Sequence, residues 1–115
     1  MGINPDLKAR LSRESIAIQE EGIPLRPITP LHWVGLIRYR GHVVPKQDYR
    51  FTIEIPKAYP YLPPTVTWKT PVIHPNIFIS GYVCINILKD SWRPSYSLIT
   101  VYKSLAWLLD NPSND

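Results

Sequence analysis

The sequence predicts an α+β fold, with a helix first, a sheet of four antiparallel strands next and a second helix last, in one domain over residues 1–115. Three observations predict it. Apolar residues recur at helical spacing near the amino terminus. Between Ile23 and Trp68 the period becomes that of strands, broken by Pro, Gly and Asp. Helical spacing then returns from Leu98 to Leu109. With 44% hydrophobic and 19% charged residues, 115 residues hold enough apolar material for one packed core.

Asn4 before Pro5 opens the first helix, because an asparagine side chain accepts from free backbone donors and proline is tolerated at the first helical position. Leu7, Leu11 and Ile18 share one face, and Gly22 supplies the stop, so the helix should cover Pro5 to Glu21. The stretches "IPLRPIT", "HWVGLIRYR", "DYRFTIEIP" and "PTVTWKT" read as strands, and their short connections favour an antiparallel meander. "YPYLPP", Tyr59 to Pro64, is excluded from a central strand: its prolines lack backbone donors and hold their predecessors extended. It reads as a fixed, aromatic loop. Leu98, Val101, Tyr102, Leu105, Leu108 and Leu109 form a core-facing helix behind a Ser97 cap, ended at Asn111 and Pro112.

Composition narrows the function. One cysteine cannot form an internal disulfide, and no cleavable apolar segment follows the amino terminus, so the expected location is the cytoplasm. No run of about 18 apolar residues exists to span a bilayer. Gly2 is offered at the start, but Asp6 stands where a myristoylation signal wants Ser or Thr. No membrane partner is expected. The formal charge of +4 comes from 13 Lys and Arg residues spread without a basic run or a basic and aromatic constellation, so no nucleic acid is expected. A basic surface serves equally to meet an acidic protein. Cys84, His32, His42 and His74 lack zinc-ligand spacing, so no metal is expected.

The chemistry concentrates in "HPNIFISGYVCINIL", His74 to Leu88. A lone cysteine between Val83 and Ile85 reads plainly as a small buried hydrophobe. If "YVCINIL" is extended, however, alternation puts Val83, Ile85 and Ile87 on one side and Tyr82, Cys84 and Asn86 on the other, more polar one. Gly81 permits a tight turn, and Asn76, in a turn beginning His74-Pro75, supplies a second amide. No Asp or Glu lies between Glu54 and Asp90, and His74 is the only histidine in that span. No Cys-His-acid triad is evident, and a hydrolase is disfavoured.

From Tyr59 to Leu98 the chain resembles the core of the ubiquitin-conjugating enzymes. The resemblance joins Tyr-Pro-x-x-Pro-Pro, His-Pro-Asn, a Gly-x-x-Cys with the cysteine eight residues past that asparagine, and Trp-x-Pro beyond it, in order. It extends more loosely over nearly the whole chain. It implies an amino-terminal helix, a four-stranded antiparallel meander, an active-site loop and a crossover helix packed on the sheet. It also implies that Cys84 carries ubiquitin or a ubiquitin-like modifier as a thioester, received from an activating enzyme and passed to a lysine or a ligase cysteine. ATP is used by the activating enzyme only, and no cofactor is implied on this chain.

The resemblance assigns residues too. Asn76 would donate to the thioester oxygen as charge develops, or bond its own loop; both roles stay open. His74 and Asn86 would support the active site, His74 mainly by holding the turn. Tyr61 and Pro94 match the loops gripped by RING-type ligases, and Arg10 and Arg13 match basic positions that meet the activating enzyme. Trp92 reads as core. Two departures stand out. Many lysine-active members carry an acidic residue where this chain has Asn86, and the family's usual domain continues into two further helices where this sequence ends at Asp115. Asp110 or Asp115 would then be candidates to orient an incoming lysine. The alternative is a non-catalytic ubiquitin- or peptide-binding variant of the same fold, although such variants lack the cysteine.

Overall fold

The computed structural model describes residues 2–112. Helix α1, Pro5–Glu21, begins where the Leu7 amide donates to the Asn4 side chain at 2.8 Å. It ends at Gly22, whose φ of 68° is readily open only to glycine. Strands β1 (Leu25–Thr29), β2 (His32–Tyr39), β3 (Gln47–Glu54) and β4 (Thr65–Trp68) form an antiparallel meander in the order β1-β2-β3-β4. Each strand falls within the stretch expected for it, except that β3 begins one residue earlier, at Gln47. Alternation buries Trp33, Ile37 and Tyr39 of β2, Tyr49, Phe51 and Ile53 of β3, and Val66 and Trp68 of β4 on one face.

Helix α2, Leu98–Asp110, lies on that face. Ser97 and Thr100 form a reciprocal cap at its start, and Leu98, Val101, Leu105, Leu108 and Leu109 are buried. The Tyr102 hydroxyl donates to the Leu36 carbonyl at 2.8 Å while its ring stands 6.2 Å from that of Phe51, which fixes the helix against the sheet.

Glu14 is the surprise on the apolar face of α1: it is 7% exposed, between Leu11 and Ile18. A buried carboxylate costs several kcal/mol unless it is paired and hydrogen-bonded. Here it accepts from the Leu98 amide (2.7 Å), the Tyr59 hydroxyl (2.6 Å) and Arg10 Nε (2.7 Å). Arg10 also donates to the carbonyls of Tyr96 (2.6 Å) and Pro94 (3.2 Å). One ion pair thus stitches α1 to the "YPYLPP" loop and to the start of α2. Burial and the adjacent Glu14 carboxylate push the Tyr59 hydroxyl far above the ordinary tyrosine range.

The extended reading of "YVCINIL" needs correction. Val83 and Ile85 are buried, Tyr82 and Asn86 exposed and Cys84 half-buried, as alternation requires, but Asn86–Leu88 is a turn of 3₁₀ helix. The Asn86 carbonyl accepts from the amides of Lys89 (2.9 Å) and Ser91 (3.0 Å), which folds the chain back and ends the alternation before Ile87.

Candidate active site

Cys84 is held by its backbone. Beyond β4 the chain makes a narrow turn at Phe78–Tyr82, closed by Gly81 N–H to Phe78 O (2.8 Å) and Phe78 N–H to Tyr82 O (2.9 Å). Gly81 has φ 96°, which L side chains rarely adopt, and its carbonyl accepts from the Trp68 amide at 2.8 Å. The turn therefore hangs directly from the end of β4. Two residues on, the Cys84 amide donates to the Asn76 carbonyl (2.7 Å), and Asn76 Nδ2 donates back to the Cys84 carbonyl (3.1 Å). The two residues clasp each other.

Asn76 is only 2% exposed, and His74 explains how its loop is fixed. His74 Nδ1 accepts from the Asn76 amide at 3.0 Å, so its proton is assigned to Nε2, which donates to the Leu108 carbonyl at 2.7 Å. The His-Pro-Asn turn is thereby pinned to the last turn of α2, and both ring nitrogens are engaged. The geometry makes His74 a strut between helix and loop.

The sulfur faces a different group. Lys89 Nζ lies 3.3 Å from Cys84 Sγ, and that hydrogen bond holds the lysine above its ordinary range. Asn86 is exposed beside a groove of 480 Å³ between the 3₁₀ turn and α2, whose walls include Ile85, Ile99, Lys103 and Trp107. Trp107 is 60% exposed, an uncommon position for so large an apolar side chain on a core helix.

The other expected residues lie apart from the sulfur. Tyr61 is 76% exposed and Pro94 is exposed, on loops joined by Trp92, whose Nε1 donates to the Pro60 carbonyl at 2.7 Å and whose ring stands 6.0 Å from Tyr59. Arg13 is exposed on α1. Arg10 is not a solvated basic position, since its guanidinium is consumed by Glu14 and two carbonyls and lies 5.4 Å over the Tyr59 ring. Asp110 accepts from the Tyr39 hydroxyl at 2.5 Å, and Asp115 lies outside the described residues. Among the described residues no cluster of three or more His, Cys, Asp or Glu could hold a metal, and no helix is long and apolar enough to cross a membrane.

Sequence reasoning missed Lys89, Glu14 and the groove. Glu14 had a signal, for it sits three residues after Leu11 and four before Ile18, on the buried stripe. Lys89 had none without the 3₁₀ turn that brings it back. The arrangement offers a half-exposed thiol on a rigid backbone with a cation at its sulfur. It can exchange acyl groups by positioning.

Known proteins share this arrangement's framework. A family model described as "Ubiquitin-conjugating enzyme" matches residues 10–115. The chain is 38% identical over 90 residues to the ubiquitin-conjugating enzyme E2-20 kDa of Schizosaccharomyces pombe, covering 73% of this chain and 48% of that protein. It is 34% identical over 110 residues to the ubiquitin-conjugating enzyme E2 PEX4 of Gibberella zeae, covering 93% of this chain and 63% of the relative. It therefore spans from about half to somewhat under two thirds of these relatives' length. Among solved structures, a Toxoplasma gondii ubiquitin conjugating enzyme domain superposes with a TM-score of 0.86 at 32% identity, over 94% of this chain and 78% of that one. Human ubiquitin-conjugating enzyme E2 G1 superposes at 0.87 with 24% identity, over 96% of this chain and 100% of that one, a likeness of fold.

Proposed function

The chain belongs to the ubiquitin-conjugating enzyme family, and from that premise we propose that Cys84 carries ubiquitin or a ubiquitin-like modifier as a thioester. The modifier is received from an activating enzyme and passed to a lysine or to a ligase cysteine. The observation that carries this reading is the clasp of Cys84 by Asn76, itself pinned through His74 to α2, which leaves the sulfur half-exposed on a fixed backbone.

Thiol–thioester exchange is nearly balanced in energy, so it asks for positioning rather than a general base. The incoming thiolate attacks the acyl carbon, and the donor's sulfur leaves as thiolate. Attack by a lysine amine is harder, because negative charge builds on the thioester oxygen. Asn76, whose carboxamide already bonds the residue that bears the acyl group, serves as donor to that oxygen in this reading. ATP is consumed by the activating enzyme, and the chain itself uses no cofactor.

Partner surfaces follow from exposure. Arg13, rather than the internally bonded Arg10, presents charge to the activating enzyme. Tyr61 and Pro94, on loops braced by Trp92, present apolar contacts to a RING-type ligase. The cytoplasm, where thiols stay reduced, suits a carrier that works through one free cysteine.

The test is a nonreducing gel after incubation with ubiquitin, activating enzyme and ATP. A shift of one modifier, removed by thiol reductant and absent in Cys84→Ala, is the expected result; Cys84→Ser should form a more durable oxyester. Reductant-sensitive charging of Cys84→Ala would end this reading.

A further inference from the structure

We propose that three loops beside the active-site turn form a membrane-docking tip, which seats Val43, Ile73, Phe78 and Ile79 in the headgroup layer of an anionic bilayer with Lys46 and Lys69 against its phosphates. No described helix can cross a bilayer, but a membrane is also met by loops whose apolar tips stand beside cations.

Exposure is the first argument. Ile73 is 98% and Ile79 109% exposed, so neither contributes to the core, and Val43, Phe78 and Tyr82 are half-exposed. The tip of a narrow turn ordinarily takes Gly, Asn, Asp or Ser, yet the turn at Phe78–Tyr82 carries Ile79 there. Apolar side chains exposed singly need no explanation, but these gather. Val43 and Pro45 of the β2–β3 loop, Ile73 beyond β4, and Phe78 and Ile79 of the turn line one groove of 850 Å³. The loops are also tied down: the Val43 amide donates to the Tyr39 hydroxyl at 2.9 Å, the Lys69 amide to the Arg50 carbonyl at 2.9 Å, and two backbone bonds close the turn. A fixed tip loses little entropy on insertion.

Charge selects the occupant. Residues 41–47 and 55–89, which supply all three loops, contain no Asp or Glu. Lys69 lines the groove and is exposed, and Lys46, also exposed, follows Pro45 at its rim. Of the carboxylates on adjoining elements, Asp48 faces Arg40 at 3.9 Å and Asp110 accepts from the Tyr39 hydroxyl. A lysine stem can lie along apolar surface while its ammonium reaches the phosphate layer. Stable attachment to a membrane takes two signals, and an apolar insertion beside a basic rim supplies both.

The tip adjoins the thiol. Cys84 stands two residues beyond Tyr82, whose ring lies 5.5 Å from that of Phe78. Docking itself needs no thioester, but its consequence rests on Cys84 being the carrier: a docked chain holds the loaded sulfur at the bilayer surface, and its acceptors are proteins in or on that membrane.

The experiment sediments the full chain with phosphatidylcholine vesicles, with and without phosphatidylserine. The chain should bind the phosphatidylserine vesicles, less as salt rises, and Cys84→Ala should bind equally. The double variant Ile73→Asp, Ile79→Asp should lower the bound fraction by roughly tenfold or more at an unchanged urea midpoint, since both side chains lie outside the core. Lys46→Glu should weaken binding more than Lys57→Glu, the same change of net charge at an exposed site off the groove. No binding to anionic vesicles, undiminished binding of the double isoleucine variant, or equal loss from Lys57→Glu would overturn the inference. So would sedimentation equilibrium showing dimers that the isoleucine variant abolishes, with no vesicle binding, which would give this face to a second copy of the chain. Vesicle binding by a chain that fails to charge would remove the carrier reading and leave the docking tip standing.

Discussion

Glu14→Ala should be among the most damaging single changes in this chain, although Glu14 lies in no site motif. The carboxylate is the acceptor for the Leu98 amide at 2.7 Å and the Tyr59 hydroxyl at 2.6 Å, both within buried residues. Leaving a buried donor unsatisfied costs about 1–3 kcal/mol, so two such donors put the central expectation near 4 kcal/mol. Arg10 adds less, since it is partly exposed and keeps the Tyr96 and Pro94 carbonyls. Against a total stability of about 5–15 kcal/mol the change is large. Glu14→Gln retains one carbonyl acceptor and should fall between the variant and the native protein. Urea denaturation of the variants together with Tyr59→Phe forms a cycle. The Tyr59→Phe, Glu14→Ala double variant should be less destabilised than the sum, because removing the hydroxyl removes one orphaned donor. A Glu14→Ala cost below about 1 kcal/mol, or strict additivity in the cycle, would refute the account of Glu14 as the stitch between α1 and α2.

Asn76→Ala should slow discharge to lysine by about ten- to a thousandfold while largely sparing charging, measured by single-turnover assays of both steps; equal loss in both would mark a collapsed loop instead. Tyr59 carries a pH signature. Its folded hydroxyl titrates far above the unfolded value near 10, so above that pH the native state binds the extra proton. Its contribution is therefore complete below about pH 10 and is lost as pH rises further, at up to about 1.4 kcal/mol per pH unit, and denaturation across alkaline pH should show a shallower fall in Tyr59→Phe. Arg13→Glu should slow charging by the activating enzyme in a salt-dependent way, whereas Arg10→Glu should lower the denaturation midpoint, because it sets a second carboxylate against Glu14. Asn86→Asp should raise discharge to free lysine relative to free cysteine, read from purified thioester, since it supplies the charge that the native amide lacks.

Local chemistry made most of the fold legible. The Asn4 cap, the Gly22 stop and the Ser97 start are each decided within a few residues, and the α1 boundaries follow from them. Strand ends were readable because Pro and Gly punctuate them. What remained hidden depends on tertiary partners. The extended form of "YVCINIL" is overturned at Asn86 by a carbonyl that captures two later amides, which no alternation pattern records. Arg10 looks in sequence like any solvated helix arginine, and only the approach of the Pro94–Tyr96 segment shows that its donors are used. His74 and Asn76 stand out through the His-Pro-Asn turn and the family resemblance, but that His74 reaches Leu108, far along the chain, belongs to the packing of α2.

If Cys84 is the thioester carrier proposed above, the charges around it bear on which acceptors it serves. Among the described residues, the Asp110 carboxylate accepts from the Tyr39 hydroxyl and Glu14 lies within its stitch. Asp90 is close enough to act on Lys89, but more weakly than the contact with Cys84 does. Among the described residues, Lys89 brings a positive charge to within 3.3 Å of the sulfur. A thiol acceptor attacks as an anion and is drawn toward Lys89, while an amine acceptor arrives largely as a cation and meets a like charge before it can shed its proton. Asn86 can accept a hydrogen bond from that amine but supplies no charge to offset the repulsion. In the carrier reading, Lys89 should therefore order the acceptors, thiol ahead of amine. Because Lys89 is exposed, added salt should narrow that margin.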